Sequence, residues 1–423
     1  MNPFTDPNMS IPSDSSTALQ TDIARIRGVV QHYAWGGYDY LPALLYTDNA
    51  ARQPFAEYWM GAHPKAPSTL ADKRDAPALD QLIASDPATF LGERVAAQFA
   101  NRLPYLFKVL DVRDMLSIQA HPTKAAAEIG FAQENAAGIP LSAPHRNYKD
   151  DNHKPEIMVA LTEFWLLHGF RSVEAIREVL ATVPEFVPLQ AHFTAGSLFD
   201  LYQYIMELPQ ASVDALLQPL VDRIAPAYEA GTLPKENPDF WAARAALTMP
   251  LPGGHLDRGI FSIYLFNLVR VEAGQGVFQD AGIPHAYLEG VNVELMANSD
   301  NVLRGGLTPK HIDVPELLDK LIFEPITPHI LNGESVSPAE KVYKSPAPDF
   351  ELSKIQVNAV THFESPAAHA PDILILIEGE VVVSSEESSF SLVQGQVFFA
   401  PANVPYRIEA REPAVLYKAT VPA

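Results

Sequence analysis

The chain has 423 residues, 47% of them hydrophobic and 9% aromatic, which is enough for two or three domains with a sizeable core and is not the composition of a disordered chain. Its 30 basic against 51 acidic residues give a formal charge of -21, which argues against general binding to nucleic acid or anionic membranes. No cysteine occurs, so disulfides, thiolate metal sites and cysteine nucleophiles are excluded, and any metal must be held by oxygen and nitrogen.

The first 20 residues are polar, with neither the basic start nor the apolar core of a signal peptide, so residues 1–22 read as a loose tail and the chain as cytoplasmic. From Arg25 to Arg171, short β-like runs such as "LPYLFKVLDV" and "MLSIQAHP" are broken by Pro and Gly, with one helical interlude from Leu79 to Leu91. From Ser172 to Gly254 the period becomes helical. Val173, Ile176, Val179 and Leu180 follow a capping Ser172, and Val213, Leu216, Leu217, Leu220, Val221 and Ile224 repeat after Ser212, where Pro219 argues against one unbroken helix. Short strands are expected again from Phe261, in a run well below the roughly 18 residues of a membrane helix. Asp313 and Glu316 are spaced as a capping box before Leu317, Leu318 and Leu321, and after "SPAPDF" the pattern is β to the end.

The expected class is therefore mainly β with an α-helical insertion. A weak repeat refines it. "GQGVFQDAGIPH" (Gly274 to His285) lines up with "GQVFFAPANVPY" (Gly395 to Tyr406), which suggests two related small barrels, the first with histidine where the second has Tyr406.

Four polar residues stand where the β pattern would bury them. In "YKDDNHKPEIMVAL" the charged cluster ends at Glu156, whose side chain points opposite Ile157 and needs a partner, because an unpaired buried charge costs several kcal/mol or more. In "MLSIQAHP" the strand period sets Ser117, Gln119 and His121 against Leu116, Ile118 and Ala120. With His285 these make two nitrogen and two oxygen donors, suited to a divalent metal, zinc first. The bland alternative for Gln-x-His is a half-exposed strand. In "HAYLEGVNVELMANSDNVLRGGLTPK", Glu294 shares a face with Asn292 and Asn298, as a functional carboxylate or the partner of an arginine. Asp300, Arg304 and Lys310 follow beside Gly305 and Gly306, as an anion site or as surface charge.

The two segments "YKDDNHKPE" and "HAYLEGVNVELMANSDNVLRGGLTPK" resemble the signature segments of type I mannose-6-phosphate isomerases (phosphomannose isomerases). "QHYAWGG", "AEYWMGAHPKAPS", "LPYLFKVLDV" and "LSIQAHPTK" extend the resemblance over most of Val29 to Val314. It implies two cupin-type jelly-roll barrels plus a helical domain: residues 23–171 with 255–335 as the catalytic barrel, 172–254 as the helical insertion, and 336–423 as the C-terminal barrel. It also implies one zinc per chain on Gln119, His121, Glu156 and His285, and interconversion of mannose 6-phosphate and fructose 6-phosphate through a cis-enediol. Glu294 and Lys154 are the implied proton-transfer groups, with Asp300 and His153 assisting and Arg304 stabilising the oxyanion. Ser117, Lys108, Lys124, Lys310 and Tyr287 are the implied substrate contacts. A monomer acting on a phosphorylated hexose, without nucleic acid or membrane, completes the expectation. Two departures stand out: Gly305 where the family has alanine, and Asp280 near the ligand histidine, where it could shift metal affinity. The rival readings are a cupin-type iron(II) oxygenase, since two histidines and a carboxylate also hold iron, and a non-catalytic sugar-binding cupin.

Overall fold

The computed structural model describes residues 21–72, 77–366 and 369–423, so the expected tail lies outside the described residues up to position 20. No helix among the described residues is long and apolar enough to cross a membrane. Among the described residues the strands form sheets of ten, eight and four, and the helices are gathered chiefly between Val173 and Leu265.

One strand organises the site. His285–Ala297 runs for 13 residues. Its second half pairs with Tyr105–Val112, Glu294 opposite Lys108, and with Glu156–Ala160, Met296 opposite Glu156. Its first half leaves those partners, with His285 opposite both Gln119 of Ile118–Ala120 and His168 of Phe164–Phe170. The change falls at a register shift between Tyr287 and Glu289, next to Gly290 at φ +129°, where the bulge bends the strand and lets it serve both directions. Gly276–Gln279 closes the wall, Gln279 opposite Glu156.

Alternation then sorts the two faces of this wall. Val291, Val293, Leu295, Ile157, Val159, Phe107 and Val109 share one apolar cluster with Ile373, Ile375 and Tyr417, which fastens the wall to the eight-stranded C-terminal sheet. Leu110, Met158, Ala160 and Val277 face the other way, packing with Phe164, Leu166 and Tyr287 inside the fold. Lys108, Glu156, Asn292 and Glu294 alternate onto that inner face and are buried with it.

The helices follow their patterns with three corrections. Ser172 caps Val173–Thr182 as expected, accepting from Ala175 N at 3.1 Å. Pro219, however, does not break Gln210–Glu229, which also contains Pro226; the stripe Val213, Leu217, Leu220, Val221 and Ile224 is buried in the cluster around Trp241, and that packing offsets the missing backbone bonds. Phe261 to Leu265, where the pattern suggests a strand, belongs to the helix Gly259–Leu265, and the strand is Phe266–Val271. All seven helical residues are buried, so the run has no period to separate helix from strand. Lys124–Ala136, capped by Thr123, is a helix inside a region read as antiparallel with a single helical interlude.

The first described strand, Ala24–Arg27, pairs with Val397–Ala400 and so joins the eight-stranded sheet rather than the site-bearing wall in which the expected boundary at residue 23 puts it. The repeated segments share a local build: Gly274 and Gly395 take φ of +87° and +80°, each ahead of a four-residue strand and a turn into His285 or Tyr406.

The helical lobe is tied to the site loop by Asp257. Its buried carboxylate accepts from Gly259 N (2.7 Å), Leu307 N (2.9 Å) and Thr308 N (2.8 Å). Asp257→Ala leaves three donors without that partner and is expected to lower stability by on the order of 3 kcal/mol. A urea unfolding midpoint equal to the parent's would refute this role.

Candidate metal centre

His121 follows the strand Ile118–Ala120, Glu156 opens Glu156–Ala160 and His285 opens His285–Ala297. One ligand atom from each lies within 4.8 Å of the others, and all three residues are fully buried. His121 Nε2 is 3.3 Å from Glu156 Oε1, and His285 Nε2 is 3.3 Å from Oε2. The second nitrogen of each ring faces a carbonyl, His121 Nδ1 to Asn301 O at 2.8 Å and His285 Nδ1 to Ile283 O at 2.9 Å. Only an N–H satisfies a carbonyl, so the proton of each neutral ring belongs on Nδ1 and the lone pair on Nε2. Burial and the neighbouring Lys154 charge lower the His121 pKa to about 4, which keeps it neutral.

Two nitrogen lone pairs thus face two carboxylate oxygens, an arrangement that repels unless a cation lies between them. His121 Nε2, His285 Nε2 and Glu156 Oε2 are accordingly buried without hydrogen-bond partners. Half-buried Gln119 lies opposite His285 in the ladder, which brings its backbone position beside this set. Two imidazoles and two oxygens fit a divalent ion of zinc's preferences. Burial alone would push the Glu156 carboxyl up, but Lys154 Nζ, 2.8 Å from Oε1, holds it well below the ordinary range.

Deeper on the inner face, Glu294 accepts from Lys108 Nζ and from the Tyr287 hydroxyl, each at 2.9 Å. Its partner is thus a lysine, where the structural alternative foresees an arginine. Burial raises its pKa above the ordinary range, although the Lys108 charge opposes the shift. Lys108 also stands 3.8 Å from Glu57, and the two carboxylates hold its ammonium strongly protonated despite burial. A phosphate contact for Lys108 is therefore a poor reading: its charge is committed inside the wall.

His153 is a second correction. Its Nε2 meets buried Asp349 at 2.8 Å, while the neighbouring Lys154 reaches Glu156, so alternation sends the two side chains apart. Asp280 is exposed and accepts from Ala281 N at 2.7 Å, a role within its turn. Lys124 lies in the open, bonded to Asp151 O (2.8 Å) with Glu128 at 3.5 Å. Ser117 is half-buried at the start of the His121 strand.

At the rim, Arg304 pairs in register with Gln119. Its guanidinium has no hydrogen bond or ion pair among the described residues, and burial lowers its pKa. Lys310 is likewise unpaired, its pKa lowered by burial and by Arg304, and it lines a cleft of ≈ 360 Å³ with Thr308 and Arg258. Two uncompensated cations side by side in so acidic a protein favour an anion. Asp300 is held by Lys65 at 2.7 Å, with His63 at 3.9 Å; burial would raise its pKa, but the Lys65 contact outweighs it and the carboxyl titrates low.

Asn301, Glu57, His63, Lys65 and His168 escape the sequence reading. Asn301 joins the two charged segments: it accepts from Lys149 N (2.7 Å), donates to Asp150 O and Asn152 O (2.9 Å each), and lends its carbonyl to His121. His168 sits opposite His285 in a buried strand, its pKa lowered to about 4 by burial and by His285. An ionisable residue in the otherwise apolar run "FWLLHGF" is the only signal for it.

The sequence matches the family described as phosphomannose isomerase type I, catalytic domain, over residues 23–173. It is 39% identical over 382 residues to mannose-6-phosphate isomerase of Escherichia coli, covering 88% of this chain and 93% of that one. It is 36% identical over 415 residues to the Homo sapiens mannose-6-phosphate isomerase, covering 91% and 94%. Among solved structures, mannose 6-phosphate isomerase from Salmonella typhimurium bound to its substrate fructose 6-phosphate and zinc superposes with a TM-score of 0.82 at 35% identity, over 95% of this chain and 100% of that one.

If the three facing ligand atoms bind zinc, the ion at 100 times its Kd should stabilise the metal-stripped protein by about 2.7 kcal/mol. A rise in melting temperature on adding zinc, largely lost in His121→Ala and Glu156→Ala, is expected. An equal rise in both variants would place the ion elsewhere.

Proposed function

The chain belongs to the type I phosphomannose isomerase family, and we propose that it interconverts mannose 6-phosphate and fructose 6-phosphate with one zinc ion held by Gln119, His121, Glu156 and His285. The observation that carries this reading is the buried pair of imidazole lone pairs facing one carboxylate, in a chain so similar to isomerases along most of its length. Zinc, when bound, supplies Lewis-acid polarisation of the sugar oxygens, worth several kcal/mol of barrier. The iron-oxygenase and non-catalytic readings gain no support from relatives named as isomerases, one of them solved with zinc and a sugar phosphate.

The chain's own residues then divide the work. Isomerisation takes a proton from C2 and returns it at C1. Glu294 takes it: Lys108 and Tyr287 fix both its oxygens, and burial moves its pKa toward the operating pH, where a general base is most effective. Lys154, at the edge of the metal centre, carries a proton to and from the sugar oxygens. Arg304 meets the oxyanion with a guanidinium that nothing else engages. Lys310, with Ser117 and Lys124, meets the phosphate, and Asp300, oriented by Lys65, assists ring opening. His153 and Lys108 leave the roles first given them and serve as a hydrogen-bonded anchor to Asp349 and as the counter-ion of Glu294.

The same reading makes the two β lobes cupin-type jelly rolls flanking the helical insertion, supported by the repeated turn–strand–turn that ends in His285 and Tyr406. The enzyme would work as a cytoplasmic monomer. Size-exclusion chromatography with light scattering checks the monomer directly, and a dimer mass would refute it.

Purified protein stripped with a chelator should lose turnover of mannose 6-phosphate and regain it with zinc; a folded, zinc-loaded protein without turnover would overturn the substrate assignment. Glu294→Gln should lower kcat by about 10²- to 10⁴-fold. Glu294 must be ionised to accept a proton and its pKa is raised, so kcat/KM should be complete at higher pH and fall as pH drops through a value above the ordinary glutamate figure of about 4.3. An acid limb at or below that figure would rule Glu294 out as the base. Arg304→Ala should cost about 10²-fold or more in kcat/KM. It should leave the melting temperature near the parent's, because no partner is orphaned.

A further inference from the structure

Gln279 presents a polar group that the catalytic scheme does not use. Its side chain is 0% exposed, and neither Nε2 nor Oε1 makes a hydrogen bond of good geometry, although the Tyr287 hydroxyl is close enough for a weak polar contact. It closes the strand Gly276–Gln279 directly opposite Glu156. Val277 belongs to the inner cluster and Phe278 packs on the outer one, so alternation turns Gln279 inward, beside Glu156 and Tyr287. The Tyr287 hydroxyl gives its proton to Glu294. A buried polar group without a good partner destabilises the fold, and an apolar residue of equal size would avoid that penalty.

Glu156 Oε2, His285 Nε2 and His121 Nε2 of the metal centre are likewise buried without hydrogen-bond partners, as is His168 Nδ1 opposite His285. A carboxamide is the neutral side chain whose oxygen suits the vicinity of a cation while its NH₂ donates to a carboxylate. We propose that Gln279 is a positioning residue of the metal centre, its carboxamide hydrogen-bonding the Glu156 carboxylate and water carried by the bound ion. This rests on the metal reading above and extends it to a residue outside the four ligands. Gln279 orients Glu156 and completes the ion's surroundings; it does not act on the sugar. Groups that hydrogen-bond metal ligands typically control affinity by about 10- to 100-fold.

The test compares the full-length parent with Gln279→Leu and Gln279→Glu, using zinc affinity by competition with a chromophoric chelator and the visible absorption spectrum of the cobalt(II)-substituted protein. Gln279→Leu is expected to weaken zinc roughly 10- to 100-fold and to move the cobalt bands, while the metal-free variant melts at or above the parent temperature. Gln279→Glu places a second carboxylate against the ion and should also move the bands. If Gln279 served packing alone, the metal-free Gln279→Leu protein would melt lower, with zinc affinity and cobalt spectrum unchanged, and the proposal would fall while the metal centre stood. A parent that binds neither ion would overturn the metal reading and this inference together.

Discussion

Everything in the site depends on burying the charge of Glu156. A carboxylate in that position costs several kcal/mol unless it is matched, and the fold brings up two imidazole rings beside Lys154. Each ring turns Nδ1 to a backbone carbonyl and so aims Nε2 at the carboxylate, while burial and the Lys154 charge keep His121 neutral. Those carbonyls are themselves fixed: Asn301 belongs to the network that clamps the loop before Glu156, and Ile283 lies in the turn that delivers His285. The centre is therefore built from backbone as much as from ligands, and the backbone contacts hold the ligand atoms in place independently of the ion.

A second charged layer lies beside it. Lys108 between Glu294 and Glu57, and Tyr287 on Glu294, form a chain in which each member is partnered. Such a chain is tolerated in a low-dielectric wall only when it is nearly complete; losing one member strands the others, typically at about 3–5 kcal/mol. Its completeness also accounts for why Lys108 is a poor phosphate ligand, whereas Arg304 and Lys310, with nothing to hold, remain open to an anion.

The wall itself is stiff because it is shared. One face carries the charged layers, and the other is glued by Val291, Val293 and Leu295 to the C-terminal sheet. The C-terminal lobe thus supports the site, the buried His121, Glu156 and His285 group coming, among the described residues, from the other lobe, and Tyr406, where that lobe has His285, turns its hydroxyl to Asp372 at 2.8 Å instead. His153 reaching Asp349 adds a polar link between the same two parts of the chain.

Much of this was legible in the residues. Period 2 told which face Glu156 and Glu294 occupy, the Ser172 and Asp313 signals marked helix starts, and the two charged segments carried the family, because such patterns depend on neighbours a few residues away. Period failed where a segment is buried on every side, as in Gly259–Leu265, and where packing overrides a local breaker, as at Pro219. Which way His153 turns, what Lys108 pairs with, the placing of Ala24–Arg27 in the far sheet and the buried carboxamide of Gln279 are matters of contacts between positions from about 120 to nearly 400 residues apart. The sequence alone determined the kinds of donor and the faces they occupy, since covalent geometry dictates alternation. Only the tertiary structure decided which donors meet, because register and strand crossing, which no local pattern encodes, set the distances at which charges either pair or stay free.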